Sequence, residues 1–180
     1  RNSGDHFNAI DWTGQDNGWG RGLPPAEHNF ESWIIQADLL ARDELRPTAH
    51  DIAAAQAQAL DLLRLRRSTP LFSLGSAELV RERVSFPVCG PQAQPGVIVM
   101  VIDDGAGEAD VDPALDGVVV VLNATPHEIG QRVDALVGRF LVLSDVQAHG
   151  SDPVVRETRF DAATGKVTVP ARTVAVLVEP

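Results

Sequence analysis

Two runs of apolar residues decide the fold: Val97-Ile98-Val99-Met100-Val101-Ile102 and Val118-Val119-Val120-Val121-Leu122. Branched side chains fit a pleated sheet, and each run has the length of an ordinary strand. Neither run alternates with polar residues, as a strand with one face in water would. Both runs are therefore predicted to be central strands of a sheet.

Further strands are predicted on both sides of this pair. Segments rich in Val, Ile, Leu, Phe and Thr lie at 83–87, 97–102, 117–123, 140–146, 155–160, 166–169 and 173–178, and glycines and prolines separate them. About seven short strands with this punctuation predict an antiparallel β-sandwich. Residues 160–167 are predicted to form a hairpin in which Gly165 takes a positive φ.

The first part of the chain follows a different pattern, in which an aromatic loop precedes two helices. Several glycines and the Pro24-Pro25 pair make residues 1–31 loop-like. Ser32 is predicted to cap a short helix that ends before Pro47. Thr48 is predicted to cap a longer helix over residues 49–67, with Asp51 in its first turn. The boundary between the two patterns is predicted near residues 70–76.

Composition excludes two classes of partner. The chain has 180 residues and a formal net charge of −10. An acidic chain repels phosphate backbones unless it carries a basic patch, and no basic cluster exceeds Arg64, Arg66 and Arg67. No apolar run approaches the roughly 20 residues that a membrane span needs. Neither nucleic acid nor a membrane is therefore expected as a partner.

The first residue and the cysteine content bear on the origin of the chain. The chain begins at Arg1 rather than Met, and no apolar signal segment follows, so we expect a piece of a longer protein. Cys89 has no second cysteine to pair with, so cysteine usage leaves the compartment open. An extracellular location is favoured over a cytoplasmic one.

No catalytic constellation stands out from the residues themselves. The chain has no Gly-x-Ser-x-Gly motif and no histidine pair at i,i+4, and the glycines around Trp19 lack the strand and helix of a dinucleotide loop. No catalytic or metal-ligating residue is therefore predicted. Residues 103–112 hold enough acidic side chains for calcium, but their spacing is not that of an EF-hand. A solvated loop between two buried strands is favoured, no cofactor is expected, and calcium stays an alternative.

Segments along almost the whole chain resemble one family, in the family's order. They lie at residues 3–12, 15–17, 22–25, 65–75, 96–105, 115–120, 123–126 and 169–176. These segments are similar to the late part of the pullulanase-type starch-debranching enzymes, which belong to the α-amylase superfamily of glycoside hydrolases. Many separate matches in register make this resemblance more specific than any single motif.

The resemblance implies an α+β fragment of a larger enzyme. Residues 1–70 would be the end of a (β/α)8 barrel, with an active-site loop and the last two helices. Residues 76–180 would be the antiparallel C-terminal β-sandwich. The family cleaves α-1,6 linkages in pullulan, glycogen and starch-derived dextrins with an Asp nucleophile, a Glu acid/base and a second Asp, all upstream of this segment. The chain would thus be non-catalytic, with the barrel of the same protein as partner and α-glucan as the substrate of the full enzyme.

Three residues are the candidates for contact with substrate. In the family pattern Ser-Gly-Asp-Trp-Phe-Asn-Arg, the Asp and Arg resemble a pair that grips a glucose, and Asp5 matches that Asp. His6 and Ala9 stand where the pattern has Trp and Arg. Trp12 and Trp19 are expected either to stack on glucose rings or to pack against the barrel.

Two alternatives to a supporting role stay open. The sandwich is either an α-glucan-binding module or a pure structural scaffold. Binding modules usually present exposed aromatic side chains, whereas residues 77–180 contain Phe86, Phe140 and Phe160 but no Trp or Tyr. Binding by the sandwich is therefore the less favoured interpretation.

Overall fold

The computed structural model describes residues 13–16, 19, 26–90, 93–107 and 109–180. The helices are α1 (Ala26–Leu40), α2 (Ala49–Arg66), α3 (Ala77–Arg83) and α4 (Asp145–Ala148). The strands are β1 (Val84–Ser85), β2 (Val97–Asp103), β3 (Gly117–Asn123), β4 (Ile129–Arg132), β5 (Val142–Leu143), β6 (Arg159–Asp161), β7 (Lys166–Val169) and β8 (Thr173–Glu179). Among the described helices, none is long and apolar enough to cross a membrane.

The chain forms two compact units, Arg1–Ala57 and Gln58–Pro180, and the division between them falls within α2. Compactness does not reveal to which domain of a larger protein a segment belongs. The domain limits 1–70 and 76–180 therefore stay a prediction.

Two antiparallel sheets make up most of the second unit. The larger sheet has the strand order β1-β2-β3-β8-β5 and the smaller one the order β4-β7-β6. In the larger sheet, Val120 of β3 lies opposite Met100 of β2 on one side and opposite Val176 of β8 on the other. The two apolar runs are thus central strands, and the predicted antiparallel β-sandwich is confirmed.

Apolar side chains cover both faces of the larger sheet. One face packs on the smaller sheet through a core that includes Val99, Val119, Val121, Ala175, Leu177, Ile129, Val167 and Val169. The other face packs on the end of α2 and the 3-10 turn after it through Leu65, Leu71, Ile102, Val118, Val120 and Val176. Burial of one such side chain contributes on the order of 1.5–3 kcal/mol. Because both faces pack on other elements, most positions of the two runs are buried and need no polar residue, although Ile98 near the start of β2 is 51% exposed.

Several elements differ from those predicted. Helix α1 begins at Ala26 rather than at the predicted cap Ser32, which is an exposed residue inside the helix. Residues 140–146 form only the short strand β5 before α4 begins at Asp145. Strand β4 was not predicted, because Ile129 is its one buried residue and the other three residues are glycine or polar.

Other local predictions are confirmed. The Thr48 N–H donates to Asp51 Oδ2 at 2.9 Å, and the Asp51 N–H donates to Thr48 Oγ1 at 3.3 Å. This reciprocal cap, chiefly its backbone hydrogen bond, lowers the pKa of Asp51. In the β6–β7 hairpin Gly165 has a φ of +65°, and a Cβ at this position would collide with the carbonyl oxygen of Val133.

Candidate functional site

Of the three predicted substrate contacts, Asp5 and Trp12 lie outside the described residues, and Trp19 lies within them. The Trp19 side chain is half-buried, and its indole Nε1 donates to the carbonyl oxygen of Leu40 at 3.2 Å. The Trp19 backbone N–H donates to the carbonyl oxygen of Asp16 at 3.1 Å. Because the indole N–H is engaged at the end of α1, the ring face is what this side chain can offer a ligand.

The end of α1 and the segment after it hold Trp19 and Asp16. Asp16 Oδ2 accepts a hydrogen bond from Arg46 Nη2 at 2.5 Å. Trp33, Gln36 and Leu40 are half-buried and share one face of α1, at three- and four-residue spacing. The sequence could not indicate this position for Trp19, because its indole partner is a backbone carbonyl that any residue supplies.

A buried arginine organises the acidic loop that follows β2. Arg83, at the end of α3, donates to the carboxylate and the carbonyl oxygen of Asp104 and to the carbonyl oxygen of Ala109. The Asp104 carboxylate also accepts from the N–H groups of Val111 and Asp112, at 3.1 and 2.7 Å. A guanidinium group therefore supplies the positive charge at the centre of this loop.

This arrangement bears on the calcium alternative for residues 103–112. Asp112 accepts from the Thr69 hydroxyl at 2.5 Å, and Asp103 accepts from the Gly105 N–H at 3.0 Å. Within residues 26–90, 93–107 and 109–180, no three acidic, histidine or cysteine side chains come together as a metal site. The carboxylates of Asp103, Asp104 and Asp112 already have protein donors, and calcium stays the alternative to the expectation of no cofactor.

A second polar cluster joins α2 to the sandwich. Asp61 Oδ2 accepts from the N–H and from the hydroxyl of Ser151, both at 2.7 Å, and Asp61 Oδ1 accepts from Arg64 at 2.7 Å. The Ser151 N–H, followed by the Ser151 hydroxyl and Arg64, lowers the pKa of Asp61. A cavity of about 170 Å³ lies beside this cluster, with Leu62 and Gln147 in its lining.

Gln147 fixes the segment that carries Ser151. Its Nε2 donates to the carbonyl oxygen of Val174 at 2.7 Å, and its Oε1 accepts from the Val176 N–H at 2.7 Å. Both groups belong to the edge of β8 beyond the short strand β5, so a side-chain amide replaces a pairing strand there. A single glutamine in a short helix carries no sequence signal for this role, and the sequence did not predict it.

Comparison with known proteins assigns the family. Residues 14–180 match the family model described as alpha-1,6-glucosidases, pullulanase-type, C-terminal. The chain belongs to this family. The resemblance that the sequence suggested is thereby confirmed.

Relatives of this pullulanase-type family cover nearly all of the chain. It is 41% identical to Pullulanase 1, chloroplastic, of Arabidopsis thaliana and 36% identical to the pullulanase of Klebsiella pneumoniae, each over 182 residues. These matches cover 99% of the chain but 19% and 16% of the relatives, so the chain spans less than a fifth of their length. One relative is chloroplastic and the other bacterial, so the family does not fix the compartment, and the extracellular location stays a prediction.

Solved structures of pullulanases share the fold. The crystal structure of PulA from Klebsiella oxytoca matches with a TM-score of 0.81 at 34% identity, over 98% of this chain and 17% of that one. The maltotriose complex of PulA from Klebsiella pneumoniae matches with a TM-score of 0.82 at 34% identity, over 98% of this chain and 19% of that one.

Proposed function

We propose that this chain is the C-terminal part of an enzyme that cleaves α-1,6 branch linkages in pullulan, starch and glycogen. The family match over residues 14–180 carries the proposal. In this proposal the catalytic Asp, Glu and Asp belong to an upstream (β/α)8 barrel, and the chain supports that barrel without hydrolysing substrate itself. The barrel is its partner, and α-glucan is the substrate of the complete enzyme.

Exposed apolar residues on α1 support a partner domain. Phe30, Ile34 and Ile35 are 65%, 59% and 69% exposed, and Leu39 is 44% exposed. A helix whose outer surface meets water normally carries polar side chains there. We therefore propose that α1 and α2 are the last helices of the barrel, and that these four side chains of α1 pack against preceding barrel elements.

The stretch around Trp19 is proposed to contact substrate. Because the indole N–H already donates to Leu40, the proposed contact is stacking of a glucose ring on the indole face. Asp5 is proposed to accept from two hydroxyls of a donor-side glucose, and Trp12 is proposed as a second stacking surface. The solved PulA complex with maltotriose supports α-glucan as the ligand class.

A chimera tests the supporting role. The matching C-terminal part of the Klebsiella pneumoniae pullulanase is replaced by this chain, and release of reducing sugar from pullulan is measured. The chimera is expected to hydrolyse pullulan and the isolated chain is not. Ile35→Asp is expected to lower the yield of folded, active chimera, whereas Asp38→Asn, at an exposed polar position of the same helix, is not. Hydrolysis by the isolated chain would contradict the proposal.

Binding of α-glucan by the sandwich alone is the second candidate. Phe140 and Phe86 favour it, because they are 67% and 50% exposed. They adjoin β5 and β1, which are opposite edges of the larger sheet, so they do not form one binding platform. Retardation of the chain in a pullulan-containing gel, abolished by Phe140→Ser, would favour the binding module. Unchanged mobility favours a supporting or scaffold role.

A further inference from the structure

We infer that residues 144–151 act as a releasable latch that holds the end of α2 on the sandwich. Gln147 attaches this segment to β8, and Ser151 holds Asp61 of α2. When the latch opens, the end of α2 leaves the larger sheet while the sandwich stays folded. The inference concerns the chain itself and does not depend on the proposed enzymatic role.

The end of α2 makes few apolar contacts with the sandwich. Leu65 is the one buried side chain of α2, with 6% of it exposed. Leu62 and Leu63 are 57% and 61% exposed. A helix that packs through a single leucine depends on polar contacts for its position, and the hydrogen bonds to the charged Asp61 are of the stronger kind.

A tight turn at Gly150 places Ser151 against Asp61. A Cβ at Gly150 would lie 2.5 Å from the carbonyl oxygen of Val146 and 3.0 Å from Asp61 Oδ2, so only glycine allows this close approach. Arg156 donates to the Gly150 carbonyl oxygen and holds the turn from the other side. The turn brings the N–H and the hydroxyl of Ser151 to one oxygen of Asp61.

The end of α2 covers an apolar groove on the larger sheet but takes no part in the pairing of the strands. A cavity of about 190 Å³ is lined by Leu65, Phe72 and Met100 together with residues of β3 and β8. The β2–β3 ladder runs from Val97↔Asn123 to Asp103↔Gly117, and the β3–β8 ladder runs from Gly117↔Glu179 to Asn123↔Thr173. Each has seven residue pairs and neither contains a residue of α2. Detachment of the helix end therefore uncovers apolar surface but breaks no strand pairing.

Hydrogen exchange of the 180-residue chain at neutral pH tests the latch. Asp61→Asn is expected to speed exchange of the amides at 62–66 by about tenfold, because the charged acceptor is lost, while the β3 amides at 119–121 keep their wild-type rates. Gln147→Ala touches no residue of α2 and is expected to act in the same direction, since Gln147 positions Ser151. Ser151→Thr keeps both donors and is expected to exchange like the wild type.

The control is Asp51→Asn, the same substitution in the cap at the start of the same helix, and it is expected to leave exchange at 62–66 unchanged. The double variant Asp61→Asn/Gln147→Ala is expected to exchange no faster than the faster single variant, because both changes open one latch. Equal loss of protection in α2 and β3, or wild-type exchange at 62–66 in Gln147→Ala, would overturn the inference. If Asp61→Asn does not fold, Gln147→Ala carries the test by itself, and wild-type exchange at 62–66 in that variant overturns the inference.

Discussion

The Arg83 guanidinium pairs with the Asp104 carboxylate inside the protein, where the two side chains are 0% and 4% exposed. The pair attaches α3 to the loop after β2. Arg83→Met leaves the buried carboxylate without its counter-charge, so we expect the free energy of unfolding to fall by about 3–5 kcal/mol in urea denaturation. Arg83→Met/Asp104→Asn removes both charges and is expected to lose less than the single variant. A single variant as stable as the wild type would show that the pair does not hold the loop.

Three glycine-to-alanine variants separate the effect of a positive φ on stability from the effect of a steric clash of the added Cβ. Gly165 has a φ of +65° and faces the Val133 carbonyl oxygen, Gly138 has a φ of +82° with open space around it, and Gly75 has open space and no positive φ. Gly165→Ala is expected to lower stability by more than 2 kcal/mol, Gly138→Ala by about 1 kcal/mol, and Gly75→Ala by about zero. Thermal unfolding measures the order, and equal losses at Gly165 and Gly138 would exclude the collision.

The buried side-chain amide of Asn123 both donates and accepts hydrogen bonds, and substitutions can test the donor separately. Its Nδ2 donates to the carbonyl oxygens of His127 at 2.8 Å and Pro170 at 2.7 Å, and its Oδ1 accepts from the Thr125 N–H at 3.0 Å. Asn123→Asp places a charged oxygen against these two carbonyls and that of Val169, so at neutral pH we expect a loss of about 3 kcal/mol, larger than in Asn123→Ala. Protonation restores a donor, so the deficit of Asn123→Asp is expected to shrink as the pH falls. A deficit that does not change with pH would contradict this account.

Asp61 predicts a dependence of stability on pH. The Ser151 N–H and hydroxyl lower its pKa below the ordinary 3.8, so the folded state holds the carboxylate more strongly than the unfolded state. This contribution is present above pH 3.8 and is lost as the pH falls through the lowered pKa. The stability difference between the wild type and Asp61→Asn is therefore expected to be constant near neutral pH and to shrink in acid. Denaturant titrations across that range measure it, and a constant difference into strong acid would refute the prediction.

The sequence predicted those strands and helix ends whose own residue types indicate them. Residues 97–102 and 118–122 are apolar because an apolar core lies on each face of their sheet, and Thr48 with Asp51 marks the start of α2 directly. Strand β4 is one that composition could not show, since it depends on pairing with β7. Composition could not show the role of Arg83 either, because an arginine is normally a surface residue and its partner Asp104 lies 21 positions further along the chain.

The candidate site was predictable only in part. Asp5, Trp12 and Trp19 follow from resemblance to the family, and the contact of Trp19 with a backbone carbonyl has no sequence signature. Asp61 and Ser151 are separated by 90 positions along the chain, so their hydrogen bonds exist only once the sandwich has folded. What escaped prediction is therefore the long-range polar contacts, whose residue types are ordinary.

The edges of the larger sheet bear on how the protein is handled. Its outermost strands, β1 and β5, are each two residues long, and Gln147 occupies the β8 edge beyond β5. The larger sheet of a native molecule therefore offers little template for strand addition. The valine-rich runs would promote cross-β stacking only once exposed. Association of molecules through this sheet should accordingly follow unfolding, and conditions that shorten the lifetime of the open chain should suppress it.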